Sequence, residues 1–170
     1  LGSSNLRGWM ILITGGAGFI GSNLVAALSQ KTGAPKITVV DRLGIDDKWK
    51  NLSNHLVHQI IEPENLDRYL SENDGSIEYV FHLGAISSTT EKDVDLILPN
   101  NFNLSLKLWN WCTNHRIPFI YASSAATYGD GKNGFNDDFD PIELSRLKPL
   151  NPYGWSKHLF DRWVTSRVES

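Results

Sequence analysis

The chain has 170 residues, 41% of them hydrophobic and 21% charged, with a formal charge of −3; this is the balance of one globular domain with a full core and excludes disordered and fibrous classes. No Lys/Arg run is present to track a phosphate backbone, so nucleic acid is not an expected partner. The apolar runs are too short to cross a bilayer, no signal-peptide core precedes them, and the single Cys112 forms no internal disulfide, so a cytoplasmic protein without a membrane partner is expected.

Residues 1–9 read as a polar tail, consistent in part with an expression-vector remnant, with Met10 a candidate natural start. Strands are expected at Trp9–Thr14, Lys36–Val40, Leu56–Ile61, Ile77–Leu83 and Ile117–Ala122. Most are near-continuous apolar runs, so both faces are expected to be covered, the habit of parallel strands sandwiched by helices. Helical stretches alternate with them at Phe19–Lys31, Asn65–Glu72, Asp93–His115 and Asn151–Val168, the third kinked or split at Pro99. This rhythm predicts an α/β domain over residues 10–170, a doubly wound parallel sheet. Residues 129–150, punctuated by Gly129, Gly131, Gly134, Pro141 and Pro149, read as a long irregular connection of the functional or mobile kind.

Directly after the first strand, Gly15 opens a turn in which Gly16, Gly18 and Gly21 satisfy G-x-G-x-x-G, with an amphipathic helix behind it. One glycine permits the tight turn, another lets a pyrophosphate approach the backbone, and the last lets the helix pack on the strand with its N-terminus toward the phosphates. Asp41, at the end of the second strand, stands where the acidic partner of such a turn is expected. Its carboxylate would accept from ribose hydroxyls and favours NAD, whereas Arg42 would pair with a 2'-phosphate and permits NADP. Lys48 reads either as a second positive contact or as a solvated loop lysine.

Tyr153 and Lys157 lie four apart on the last helical stretch and so share one face. A free tyrosine, with its pKa near 10, is a poor base at neutral pH. An ammonium one turn away stabilises the phenolate and makes it a proton acceptor for carbinol oxidation. A hydroxyl at the end of the fifth strand, Ser123 or Ser124, would hold the substrate oxygen, unless it merely satisfies neighbouring backbone. Cys112 and the tryptophans read as core or interface residues, His82 as a structural strand-end histidine, and Asp137, Asp138 and Asp140 as a solvated acidic loop; no metal site is expected.

TGGAGFIG (14–21), YASSAATYG (121–129) and YGWSK (153–157) together resemble the extended short-chain dehydrogenase/reductase family, and HLGAISSTTE (82–91) and PLNPYGWSKHLFD (149–161) are similar to its epimerases acting on ADP-heptose, a precursor of bacterial lipopolysaccharide. The resemblance implies a Rossmann-type fold and an isomerase using a nucleotide sugar. Ser124, Tyr153 and Lys157 would be catalytic. Gly15, Gly18, Phe19, Ile20 and Gly21 would line the phosphate turn, Asp41, Arg42 and Lys48 the adenosine end, and Leu83, Gly84, Ala85, Ile86, Ser87, Asn100 and Lys157 the rest of the cofactor. It implies NADP, with NAD possible, and a homo-oligomer in the full-length protein. Family members are about twice this length, so a substrate domain is expected outside this chain. An epimerase or dehydratase acting on a UDP- or dTDP-hexose, and a dinucleotide-binding module inactive by itself, are the alternative readings. The third strand ends without the family's Asp-Ile pair, and the second acid/base lysine of the resembled enzymes has no counterpart here.

Overall fold

The computed structural model describes residues 9–168, so the first eight residues of the expected tail lie outside the described residues. In chain order the elements are β1 (Met10–Thr14), α1 (Phe19–Ser29), β2 (Lys36–Val40), β3 (Gln59–Ile61), α2 (Leu66–Glu72), β4 (Ile77–His82), α3 (Val94–Leu98), α4 (Leu104–His115), β5 (Phe119–Tyr121), α5 (Pro141–Arg146) and α6 (Pro152–Val168). The chain divides into two compact units. One takes the chain up to Gly84 with Trp111–Tyr121, and the other takes Ala85–Asn110 and the chain from Ala122 on.

The first unit holds a five-stranded sheet in the order β3-β2-β1-β4-β5, with every neighbouring pair parallel. All five residues of β1 are buried. Ile11, Ile13, Ile37 and Val39 pack with Val25 and Leu28 of α1. On the other face the Tyr69 hydroxyl of α2 lies 2.7 Å from Thr38 Oγ1 and donates to Met10 Sδ at 2.8 Å. Helices therefore cover opposite faces, and the expected doubly wound sheet is borne out. Strand order runs outward in both directions from the β1/β4 pair, which makes the C-terminal ends of these two strands the switch point where such folds bind ligands.

Some details depart from the expectation. β3 begins at Gln59 rather than Leu56, whose side chain is exposed. β5 begins at Phe119, because Pro118 has no N–H to give the ladder and the N–H of Ile117 instead closes the end of α4 on Cys112 O. Coverage of both faces holds for β1 and nearly all of β2 but not farther out, where Tyr79 and Ile120 keep 38% and 41% of their surface.

In the second unit α6 packs on α3, α5 and a short 3-10 helix at Ala125–Tyr128, and Trp109 meets Trp163 edge to face with centroids 5.1 Å apart. The helical stretch divides at Pro99, as expected. Pro99 begins a π-helical turn, Pro99–Asn103, in which Leu104 N reaches back to Pro99 O and the missing proline N–H is absorbed. The connection at 129–150 is not wholly irregular. Asp140 Oδ1 accepts from Ile142 N at 2.7 Å and Glu143 N at 3.2 Å, capping α5 with Pro141 at its first position. That aspartate is thus an exposed charge that also caps a helix.

Candidate active site

In the first unit the glycine turn is fixed by backbone against backbone. Gly15 has φ +68, and a Cβ on it would lie 2.6 Å from Gly84 N. At Gly21 a Cβ would collide with Gly15 O and lie 2.7 Å from Gly16 Cα. Gly18 differs: its Cβ would meet only Gly15 O, at 3.2 Å, so the turn is open on that side. Gly18 is also the N-cap of α1, whose first turn holds no acidic residue. The first helical bond runs from Ser22 N to Gly18 O, so the N–H groups of Phe19, Ile20 and Gly21 precede the ladder and point from the helix end. Donors, dipole and open backbone suit a pyrophosphate. The side chains of Phe19 and Ile20 stand exposed at its rim.

Asp41 braces this turn. Its Oδ2 accepts from Ala17 N at 2.9 Å and its Oδ1 from Lys48 Nζ at 2.5 Å. Lys48 also donates to Arg42 O at 3.1 Å, and Asn51, which carried no signal in the sequence, donates to Ala17 O at 2.9 Å. The Arg42 guanidinium pairs with Glu64, whose carboxyl is held below its usual range by a backbone hydrogen bond and then by Arg42. Each cation on which a 2'-phosphate would depend is therefore already matched by a carboxylate.

Across the switch point, Leu83 N donates to Thr14 O at 3.1 Å and Gly84 N to Thr14 Oγ1 at 3.0 Å. The Thr14 hydroxyl, whose oxygen accepts from Gly84, also shares a hydrogen bond of 2.6 Å with Nδ1 of fully buried His82. His82 is thus a structural residue that sets the strand end. Cys112 is buried too, its thiol pushed up to about 12 by burial, which leaves it an inert core residue.

The second unit carries the remaining candidates. Ala85, Ile86 and Ser87 form the extended segment that opens it, and Asn101, with 0% exposure, clamps that segment: Oδ1 accepts from Ile86 N at 2.8 Å and Nδ2 donates to Ile86 O at 3.0 Å. The same amide donates to Ser156 Oγ at 2.9 Å, and Ser156 donates to Tyr153 O at 2.7 Å, which ties the start of α6 into the network. Asn100, the sequence candidate, instead donates to Leu96 O at 2.8 Å within its own helical stretch.

Ser124 caps the 3-10 helix, its Oγ accepting from Ala126 N at 3.1 Å, and so keeps its own proton to donate. Ser123 instead donates to Asp161 Oδ2 at 2.5 Å. The first turn of α6 rests on the helix that Ser124 caps, closely enough that a Cβ on Gly154 would lie 2.6 Å from Ala126 O. Tyr153 is half-buried there. Lys157, one turn on, has only 4% exposure. Burial lowers its pKa to about 8, opposed by the charge of Asp161 a further turn along.

The sheet and turn are those of a dinucleotide-binding α/β protein. The chain belongs to the NAD dependent epimerase/dehydratase family, whose sequence profile matches residues 11–170. It is similar, at 49% identity over 91% of its length and 47% of the other, to an ADP-L-glycero-D-manno-heptose-6-epimerase of Fusobacterium nucleatum. Among solved structures it resembles the Helicobacter pylori ADP-L-glycero-D-manno-heptose-6-epimerase, with TM-score 0.78 and 30% identity over 97% of this chain and 53% of that one. It also resembles a Bacillus cereus UDP-glucuronic acid 4-epimerase in complex with NAD, with TM-score 0.74 and 29% identity over 94% and 51%. The chain spans about half the length of the curated relatives it matches. These findings correct the expectation of NADP: the family is described as NAD dependent and the Bacillus cereus structure holds NAD. The carboxylates of Glu64 and Asp41 beside Arg42 and Lys48 give the physical reason.

Proposed function

We propose that this chain carries the cofactor turn and the acid/base pair of an epimerase that inverts C6 of ADP-glycero-manno-heptose with bound NAD. The observation that carries the reading is the burial of Lys157 one helical turn from Tyr153, since a buried ammonium with a lowered pKa beside a phenol marks a functional site. The heptose follows from similarity to the Fusobacterium and Helicobacter epimerases.

NAD, when bound, supplies the hydride acceptor and returns the hydride. The N–H groups of Phe19, Ile20 and Gly21, with the open backbone of Gly18 and the tight turn made at Gly15, would hold its pyrophosphate. Asp41 would take the adenosine ribose on carboxylate lone pairs left over from Ala17 and Lys48, with Arg42 alongside. The segment Leu83–Ser87 and Asn100 would follow the rest of the molecule. Tyr153 would accept the C6 hydroxyl proton on one face of the sugar, Lys157 would stabilise its phenolate, and Ser124 would donate to the substrate oxygen and share the charge that develops there. The acid/base group for the opposite face of the sugar belongs to no residue assigned in this chain. The whole protein is proposed to self-associate.

The test is product analysis. The complete protein with NAD is expected to invert ADP-D-glycero-manno-heptose with no net NADH, and to leave UDP-galactose unchanged. Conversion of the UDP-hexose instead would transfer the reading to the hexose epimerases, and failure of this chain to bind NAD would overturn it altogether.

A further inference from the structure

The mechanism above uses Ser124 and leaves Ser123 idle, yet Ser123 makes one of the shorter hydrogen bonds in its unit, 2.5 Å to Asp161 Oδ2. Tyr153, Lys157 and Asp161 follow one another at intervals of four on α6 and therefore line one face. The hydroxyl at the strand end is thus fastened to the end of the row that begins with the candidate base. We propose that Asp161, tethered by Ser123, is a positioning residue that supplies the counter-charge for the Lys157 ammonium and keeps it charged in its buried place. The role in turnover rests on the epimerase reading; the electrostatic part does not.

Lys157 is almost wholly removed from water, and burial disfavours its charged form. Without a partner it would lose its proton near neutral pH and with it the means of stabilising phenolate. The elements packed on α6 bring Asp95 on α3, Lys107 on α4, Tyr128 on the 3-10 helix, and Glu143 and Arg146 on α5, the last two paired with each other. On α6 itself stand Tyr153, His158 and Arg162. None of these offsets the burial of Lys157; Asp161 does. The Ser123 hydroxyl fixes one oxygen of the Asp161 carboxylate and favours the anion.

The experiment is a 13C NMR titration of this chain with ε-13C-lysine, the Lys157 resonance being the one lost in Lys157→Arg. The wild type is expected to titrate near 8, Asp161→Asn to move the midpoint down by about one unit, Ser123→Ala to move it the same way by less, and Asp161→Glu to restore it. Asp161→Asn keeps the shape and the Ser123 contact, and Ser123 is exposed, so both variants are expected to fold. A midpoint unmoved in Asp161→Asn overturns the counter-charge, and one unmoved in Ser123→Ala overturns the tether. In the complete enzyme the alkaline limb of the rate profile should follow the lysine midpoint, whereas a merely structural aspartate would lower the rate equally at every pH. A lysine midpoint that moves as described in a protein that epimerises nothing would uphold this inference and remove the epimerase reading.

Discussion

The glycine turn and the first turns of α6 are built in opposite ways. Around Gly15 and Gly21 the constraint is backbone pressed on backbone, and the charges nearby are matched: Asp41 serves Ala17 N and Lys48, and Arg42 has Glu64. On α6 the constraint is a buried charge, Lys157, followed directly by His158, whose Nδ1 is buried without a hydrogen-bond partner. Where the groups that bind a cofactor are main-chain donors, the local fold and the site make the same demands. Where a side chain must be poised for proton transfer, the site works against stability.

Substitutions in the two regions should therefore have opposite signs. The largest effect is expected for Gly21→Ala, whose Cβ has no room against Gly15 O and Gly16. It should cost about 3 kcal/mol in urea melts and abolish NAD binding. Lys157→Met should go the other way. The lysine is held near 8 against 10.5 in the open chain, so burying its charge costs about 3 kcal/mol at pH 7, and the variant should be more stable by up to that amount while inactive. Because the folded value is the depressed one, that cost is full below pH 8 and fades as pH rises toward 10.5, so melts at pH 7 and pH 10 should show the gain shrinking.

His158→Phe, which replaces an unpaired buried ring nitrogen by carbon, is the smallest of the three, a gain of about 1 kcal/mol. Burial, then Arg162, lowers the pKa of His158 below 6.5, with Asp161 opposing. As pH falls through 6.5 the unfolded chain takes up a proton that the folded ring resists. The wild type should thus lose stability on that side, and the variant should not show this component. A loss of stability in Lys157→Met and His158→Phe comparable to that in Gly21→Ala would erase the contrast.

What was legible in the sequence follows the same division. The glycine turn could be read because its geometry is local: strand, turn and helix are contiguous, and the continuous apolar runs of β1 and β2 announced a parallel sheet. The i, i+4 spacing of Tyr153 and Lys157 was equally local. Glu64, which decides how Arg42 is read, lies twenty-two positions away and enters only when the sheet folds. Asn101 was hidden by phase, because the π-helical turn after Pro99 adds a residue to the turn and rotates the inward face from the one that ordinary helical periodicity implies. The clasp of Asn51 on Ala17 has no pattern at all, since a side-chain amide reaching a distant carbonyl leaves no periodicity. α5, by contrast, was missed although its signal is local: Asp140-Pro141-Ile142-Glu143 offers a cap, a proline at the first helical position and an acid in the first turn, inside a stretch whose glycines and prolines read as irregular.

Tyr153 is the proposed group that moves the proton. Its most direct test is Tyr153→Phe in the complete protein, with NAD affinity and epimerisation of ADP-heptose measured on the same preparation. Affinity within about twofold of wild type and turnover reduced by at least about a hundredfold is the predicted result. Full turnover without the phenol would contradict it.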